Sequence, residues 1–453
     1  MPATDASPSR LMLALAEARV PRYTSYPTAA QFGPVEEADY RAWLADGIGA
    51  GDTLSLYLHV PFCRDLCWYC ACHTRPTRSA ARLEAYAAAL RAEAALLSAS
   101  LPDHAGVSHL HLGGGTPSIL GPAGLRDLMA LLRGRFGLRP DAEVAIELDP
   151  RHLDAATAEA LGELGFTRAS LGVQDIDPAV QARIGRPQPA ELVEVAVERL
   201  RRAGIAGINI DLMYGLPGQT AEHVERSARF AASLGADRLA VFGYAHVAWM
   251  MPHQKAIDES LLPGTLERLE QAERAEAVLC GAGYRALGLD HFARPEDPLA
   301  RAAEAGRLRR NFQGYTTDAA PVLLGLGASA IGSLPGGMAQ NLVEERAYAA
   351  AVAAGRLPVA RGVAVGAGDR LRARLIERVM CDFALDLHGL RDAAPEVLRE
   401  AMPRLVALEE SGLLRLSNGM LRVTDAGRRF VRQVAACFDA HTAPGARRHS
   451  AAV

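Results

Sequence analysis

Six apolar, β-branched-rich runs, at 54–59, 107–112, 144–148, 169–173, 208–213 and 239–244, are each followed by a stretch of helical periodicity. This alternation constrains the fold more than any other feature of the chain. The clearest helical patterns cover 82–98, 123–136, 155–164, 190–203 and 221–234, with glycine or proline near many of their ends. Strand and helix alternating at this spacing imply right-handed crossovers and a parallel sheet. Six repeats, with further strands expected at 284–289 and 323–327, predict an α/β fold: a partial TIM-like (β/α)6 barrel with extra strands rather than a flat doubly wound sheet.

The polar and glycine residues fall at the carboxyl ends of these strands. Cys63, Cys67, Cys70 and Cys72 follow the first, and Gly113, Gly114, Gly115 and Thr116 follow the second. Glu147 and Asp149 end the third, Gln174 ends the fourth, Asp211 lies in the second half of the fifth, and 244–246 close the sixth. In β/α barrels these ends converge on the face where chemistry is done. One cavity is therefore expected to gather all six groups.

Charge and hydropathy exclude several classes. A net charge of −3 over 453 residues is too balanced for a surface given over to nucleic acid or an anionic membrane. An apolar content of 49% rules out wholesale disorder. The longest apolar stretch, 239–251, contains His246 and stops at Pro252, too short and broken to span a bilayer. The run 11–16 after Arg10 falls short of a secretory segment, so a cytoplasmic protein is expected. Lys255 is the only lysine, a bias read as coding preference rather than function.

Beyond about 365 the pattern becomes helix (369–383), helix (395–411), a hairpin at Asn418 and Gly419, and a last helix from Asp425. This predicts a mostly helical, winged-helix-like domain. Its 14 arginines against 11 carboxylates over 366–453 are too sparse for DNA, which makes it a lid or packing domain. The expected division is an extension over the barrel mouth (1–45), the barrel with its sites (46–364), the C-terminal domain (365–440) and a flexible tail (441–453).

Four of the seven cysteines lie between 63 and 72, and such clustering points to metal ligation rather than a disulfide framework. Cys280, Cys381 and Cys437 stand alone and read as buried, inert thiols. Cys63, Cys67 and Cys70, spaced x3 and x2 on one bend, have two readings. They bind three irons of a cubane and leave the fourth iron open, or with Cys72 or His73 they form a zinc staple. The chain has no second Cys-x2-Cys of the kind zinc knuckles pair, which favours the cubane.

The Cys-x3-Cys-x2-Cys spacing resembles the signature of the radical S-adenosylmethionine superfamily. Within it, the string at 57–72 is similar to the oxygen-independent coproporphyrinogen III oxidases, as are 21–28, 113–117, 172–175, 209–217, 290–295 and 311–317 in the same order. The resemblance covers essentially the whole chain. It implies a [4Fe-4S] cluster on Cys63, Cys67 and Cys70 and S-adenosylmethionine, in two molecules, on Tyr57, Tyr69, Gly113, Gly114, Gly115, Thr116, Glu147, Gln174, Arg186, Asp211, Ala245 and Ile331. Arg186 is expected to pair with the cofactor carboxylate, and Tyr69, Ala245 and Ile331 to border its adenine. Tyr57 and Glu147 are the expected catalytic pair. Cys72 is expected to be a reserve or structural thiol.

The implied reaction starts with reductive cleavage of S-adenosylmethionine to methionine and a 5′-deoxyadenosyl radical. Hydrogen is then taken from the β-carbon of a propionate, and loss of an electron and CO2 leaves a vinyl group. Repetition turns coproporphyrinogen III into protoporphyrinogen IX, with an unidentified one-electron donor and neither nucleic acid nor membrane as partner. A monomer is expected. The four substrate carboxylates call for arginines at the rim, with Arg22, Arg294, Arg309 and Arg310 as candidates and Tyr23 beside them. The alternatives are a non-enzymatic haem chaperone of the same superfamily and a zinc-stabilised, DNA-contacting module.

Overall fold

Leu54, Leu56, Leu58 and Val60 alternate with Ser55, Tyr57 and His59 along the first run, so one face is apolar and the other polar. The computed structural model of the chain, which describes residues 10–441, resolves where each face goes. Strands β1 (Leu54–Val60), β2 (Val107–Gly114), β3 (Leu138–Leu148), β4 (Arg168–Gln174), β5 (Gly207–Tyr214) and β6 (Arg238–Gly243) lie side by side, parallel and in chain order. Consecutive placement with right-handed crossovers puts every connecting helix on one face of the sheet and leaves the other to curl round a cavity. The apolar face packs on helices α1 (Ala80–Ser98), α2 (Gly121–Phe136), α3 (Ala155–Glu163), α4 (Ala190–Arg202) and α5 (Ala221–Ser233) in one large core.

Helix ends agree with local chemistry. Asp154 caps α3 by accepting the Thr157 amide, and Gly137 closes α2 at φ 62°. A seventh parallel strand, β7 (Val322–Leu326), lies outside β1, followed by an antiparallel meander β8 (Ile331–Leu334), β9 (Gly337–Asn341) and β10 (Val359–Ala364). On the far side β6 pairs antiparallel with His291–Ala293. The barrel is therefore open, with β6 and β7 paired to flanking strands instead of to each other.

The expected strands and helices are present, with differences in bounds, number and burial. Strand β3 begins at Leu138 rather than 144, because Leu138 pairs with Val107 across a register irregularity. The helix Thr265–Gly281 was not expected, since its six charges over 17 residues blur the apolar stripe. Cys280, expected to be buried, is exposed in the last turn of that outer helix, whereas Cys381 and Cys437 are buried as expected.

The C-terminal part runs helix Ala367–Asp382, strand Ala384–Asp386, helices Leu387–Ala393 and Pro395–Glu410, then strands Leu414–Ser417 and Met420–Val423, the order of a winged helix. Asn418 at φ 50° and Gly419 at φ 68° make the tight hairpin turn that the sequence pair predicts. The last helix starts later than Asp425. Gly427 packs against the Leu413 carbonyl, so a short turn precedes the helix Val431–Ala436. Ala16, Val20, Tyr23 and Tyr26 share the core of this module, which clamps the segment 21–28 against the barrel. Apart from His441, the expected tail lies outside the described residues. Among the described residues, no helix is long and apolar enough to cross a membrane.

Candidate active site

Every second residue of the six parallel strands faces inward. Tyr57, His111, Glu147, Ser170, Asp211 and Phe242, one from each strand, line a cavity of about 1210 Å³. Ion pairs close its floor at the amino ends of the strands. Arg238 donates to Asp297 (2.8 Å), Arg168 to Asn209 (2.8 Å) and Asp297 (3.3 Å), and His109 meets Asp318 at 3.1 Å. At the carboxyl ends the space continues into a second cavity of about 680 Å³ beside the cysteine loop, and Glu147, Asp211 and Cys72 line both.

The cysteine loop folds back on itself. Phe62–Cys63 pairs with Arg75–Pro76, and the Thr77 amide donates to the Cys63 carbonyl at 2.9 Å. Other parts of the chain pin it: Gln254 donates to the Tyr69 carbonyl (2.9 Å), His253 lies 2.7 Å from the Cys70 carbonyl, and the Trp68 amide donates to Ile184 (3.0 Å). Each thiol has polar company. Thr74 and Thr116 hydroxyls lie 3.3 and 3.6 Å from Cys63 Sγ, while Arg186 and Arg151 donate to Cys67 Sγ at 3.2 and 3.6 Å. A hydrogen bond from Cys72 holds the Cys70 thiol down at about 7 against burial and drives Cys72 well above its ordinary range.

Beside Cys67 a fixed ion cluster forms. Burial raises the Asp149 carboxyl, but Arg151 (2.6 Å) and Arg186 (3.4 Å) outweigh it and bring it to about 2. The same balance governs Glu147, where burial is overcome by His111 (3.0 Å) and the Gly114 amide (3.1 Å), leaving the carboxyl below its usual value. Asp211 has no such partners; burial, then Glu147, push it up to about 7. Burial also lowers His59, which is neutral. Its Nε2 faces the His73 carbonyl at 2.8 Å and must carry the proton, so Nδ1 accepts the Tyr57 hydroxyl at 3.0 Å.

The structure brings the expected site residues together. Cys63, Cys67, Cys70, Tyr69, Gly114, Gly115, Thr116, Glu147, Gln174, Arg186, Asp211 and Ala245 line the cavity at the loop, and Tyr57 and Ile331 line the larger one. Gly113 lines neither. A Cβ there would lie 2.7 Å from Glu147, and at Gly115 one would lie 2.4 Å from the Phe62 carbonyl. These glycines let the cysteine loop and Glu147 close on the end of β2. The guanidinium of Arg186 is also spoken for by Asp149, Cys67 and the Gly172 carbonyl, so its buried Nε–H alone remains for a ligand.

The sequence reading missed His59, His111, Arg151 and the pins Gln254 and His253. For the two histidines the signal was there: they stand two residues from Tyr57 and Gly113 on the inward phase of β1 and β2. Among the rim candidates, Arg22 and Arg310 reach the cavities. Arg309 instead pairs with Glu377 (3.0 Å) and Arg294 bonds the Ala236 carbonyl.

The residues fit an iron–sulfur cluster. Three thiols on one pinned bend, each beside a donor, face an open cavity, as ligands taking one iron apiece require. Among the described residues, no group of three or more of His, Cys, Asp and Glu is placed to hold a single metal ion. The unpartnered Arg186 Nε–H and the carboxylates of Glu147 and Asp211 likewise suit a cofactor with one carboxylate and several hydroxyls.

Comparison with known proteins agrees in extent and order. Residues 57–231 match the radical SAM superfamily and 367–430 match the HemN C-terminal domain. The chain is 48% identical to the oxygen-independent coproporphyrinogen III oxidase of Bradyrhizobium diazoefficiens over 98% of its own length and 99% of that protein's. Against the Pseudomonas aeruginosa protein of the same name the identity is 40%, over 92% and 93%. The solved structure of coproporphyrinogen III oxidase from Escherichia coli, described as a radical SAM enzyme, superposes with a TM-score of 0.88 at 37% identity, over 93% of this chain and 98% of that one.

Proposed function

This chain belongs to the oxygen-independent coproporphyrinogen III oxidases of the radical SAM superfamily, and on that premise we infer that it converts coproporphyrinogen III to protoporphyrinogen IX. The observation that carries the reading is the three-thiol bend opening onto a cavity continuous with the barrel interior. When bound, the cluster and S-adenosylmethionine supply the one-electron chemistry that takes a hydrogen atom from a propionate β-carbon. Each round then passes one electron to an external one-electron acceptor and releases CO2 to leave a vinyl group, and two of the four propionates react.

The chain's own residues bind, orient and exclude water. Cys63, Cys67 and Cys70 hold the cluster, with the Asp149, Arg151 and Arg186 charges fixing the field at Cys67. Glu147, held ionised by His111 and Gly114, accepts hydroxyl hydrogens of the cofactor, and Asp211 shares that task. Tyr57, whose phenol donates to His59, stays protonated because burial, then Glu147, raise it. Tyr69, Thr116, Gln174, Ala245 and Ile331 border the cofactor. Sites for one small ligand run roughly 300–1,000 Å³. Two continuous cavities of about 680 and 1210 Å³ support two S-adenosylmethionine molecules beside the tetrapyrrole. We place the reaction in the cytosol, in a monomer served by a separate electron donor, with the C-terminal module as lid.

The test is anaerobic cluster reconstitution followed by turnover of coproporphyrinogen III, read as protoporphyrin fluorescence. Product from the native chain and none from Cys67→Ala is expected; substrate left intact by the iron-replete native chain overturns the reading.

A further inference from the structure

Beside the cofactor space, a third cavity of about 460 Å³ lies where the barrel, the N-terminal segment and the C-terminal module meet. Six arginines line it against three carboxylates, Glu17, Asp290 and Glu276. Each acid already has a partner: Thr265 donates to Glu17 (3.2 Å), His291 meets Asp290 (2.7 Å), and Arg429 bonds Glu276 (3.1 Å). Four guanidiniums bond carbonyls, which orient the charge they carry. Arg22 donates to Gly243 (3.1 Å), Arg268 to Tyr244 (2.9 Å), Arg310 to Tyr23 (3.2 Å) and Arg432 to Pro21 (3.0 Å). Arg310 Nη1 is buried with no partner.

Burial, followed by Arg22 and Arg310, brings the Arg432 guanidinium down to about 9, and burial followed by Arg22 lowers Arg268. Like charges held this close, offset only in part by Asp290 and Glu276, are stabilised by an anionic ligand. A planar fork on each favours carboxylate.

We propose that this arginine cavity seats the two propionates of the tetrapyrrole that the reaction spares, an assignment that rests on the function inferred above. Three features select a tetrapyrrole over a small free acid. The cavity shares Arg22, Arg310 and Tyr244 with the cofactor space, so a ligand anchored here reaches the chemistry. Trp249, 61% exposed, lines both this cavity and the barrel interior and offers an apolar face beside the charges. A flat apolar ring with carboxylates along one edge matches that pairing. Because the spared propionates persist in the product, the seat holds the molecule through both decarboxylations.

The test is binding of coproporphyrin III, the fluorescent oxidised form of the substrate, to reconstituted protein by fluorescence titration. Arg268 lines only this cavity among those described, and Arg268→Gln is expected to weaken binding about tenfold, as the loss of one charge-assisted hydrogen bond does. Arg268→Lys is expected to recover part of it. Arg22→Gln, on a different segment, is a second variant should the first fold poorly, and is expected to weaken binding similarly. Tight binding by the native chain and unchanged affinity in both folded glutamine variants overturns the seat while leaving the function standing. No binding by the native chain overturns the functional reading and the seat with it.

Discussion

Glu93 shows at the scale of one residue how this fold uses a buried acid. Its carboxylate accepts from the Gly327 amide, Asn341 and the Tyr348 hydroxyl, each at 2.6 Å, and so ties α1 to the end of β7, to β9 and to the helix Glu345–Ala353. Burial still wins over these donors and raises the carboxyl to about 7 from 4.5. Between those values the unfolded chain is ionised and the folded one keeps its proton. Stability from this group is therefore full below 4.5, falls as pH rises through the window, and is flat above about 7, a loss on the order of 3 kcal/mol. Urea midpoints measured from pH 4.5 to 8 should show this slope, and Glu93→Gln should be less stable but lack it. At the site, Glu147→Gln keeps the volume of the side chain and removes an ionised acceptor. Turnover is expected to fall about tenfold or more with iron content unchanged, which parallel iron and fluorescence assays check. The sequence exposed Glu147, Gln174 and Asp211 because each stands at or near a strand end. It did not expose Arg268, which lies on a charged outer helix and acquires meaning only where three segments meet.

The elements themselves were legible where sequence period and burial agree. Strands that alternate apolar with polar residues, such as β1 and β5, and helices with a clean apolar stripe, such as α4 and α5, can be read directly. The meander β8 to β10 could not be, because Gly332, Gly336, Gly337 and Gly362 interrupt any alternation and its stability comes from neighbouring strands. The glycines at the end of β2 were legible as a tight exit, but what they approach was not. Gly115 faces the Phe62 carbonyl and Thr74, not open space. Gly115→Ala should therefore push the cysteine loop off β2, costing about 1–3 kcal/mol and lowering the iron retained per chain after reconstitution. Iron analysis beside thermal melting checks both; full iron with native stability would contradict the close approach.

Across the whole molecule, the winged-helix-like module and the N-terminal segment form one clamp, held by a shared core. Arg432 is buried and bonds the carbonyls of Val20 and Pro21, and the Tyr23 hydroxyl donates to Asp439 at 2.9 Å. That coupling joins residues more than 400 positions apart, so no local pattern announces it. Arg432→Ala should free the segment, which limited trypsin digestion would report as faster cleavage after Arg19 and Arg22. Around this clamp and the barrel, the account depends on one chemical event, the binding of S-adenosylmethionine at the cluster that Cys63, Cys67 and Cys70 would hold. Electron paramagnetic resonance of the reduced, iron-replete enzyme, recorded with and without S-adenosylmethionine, tests it most directly. The account predicts a changed cluster spectrum on addition, and an identical spectrum at saturating cofactor would contradict it.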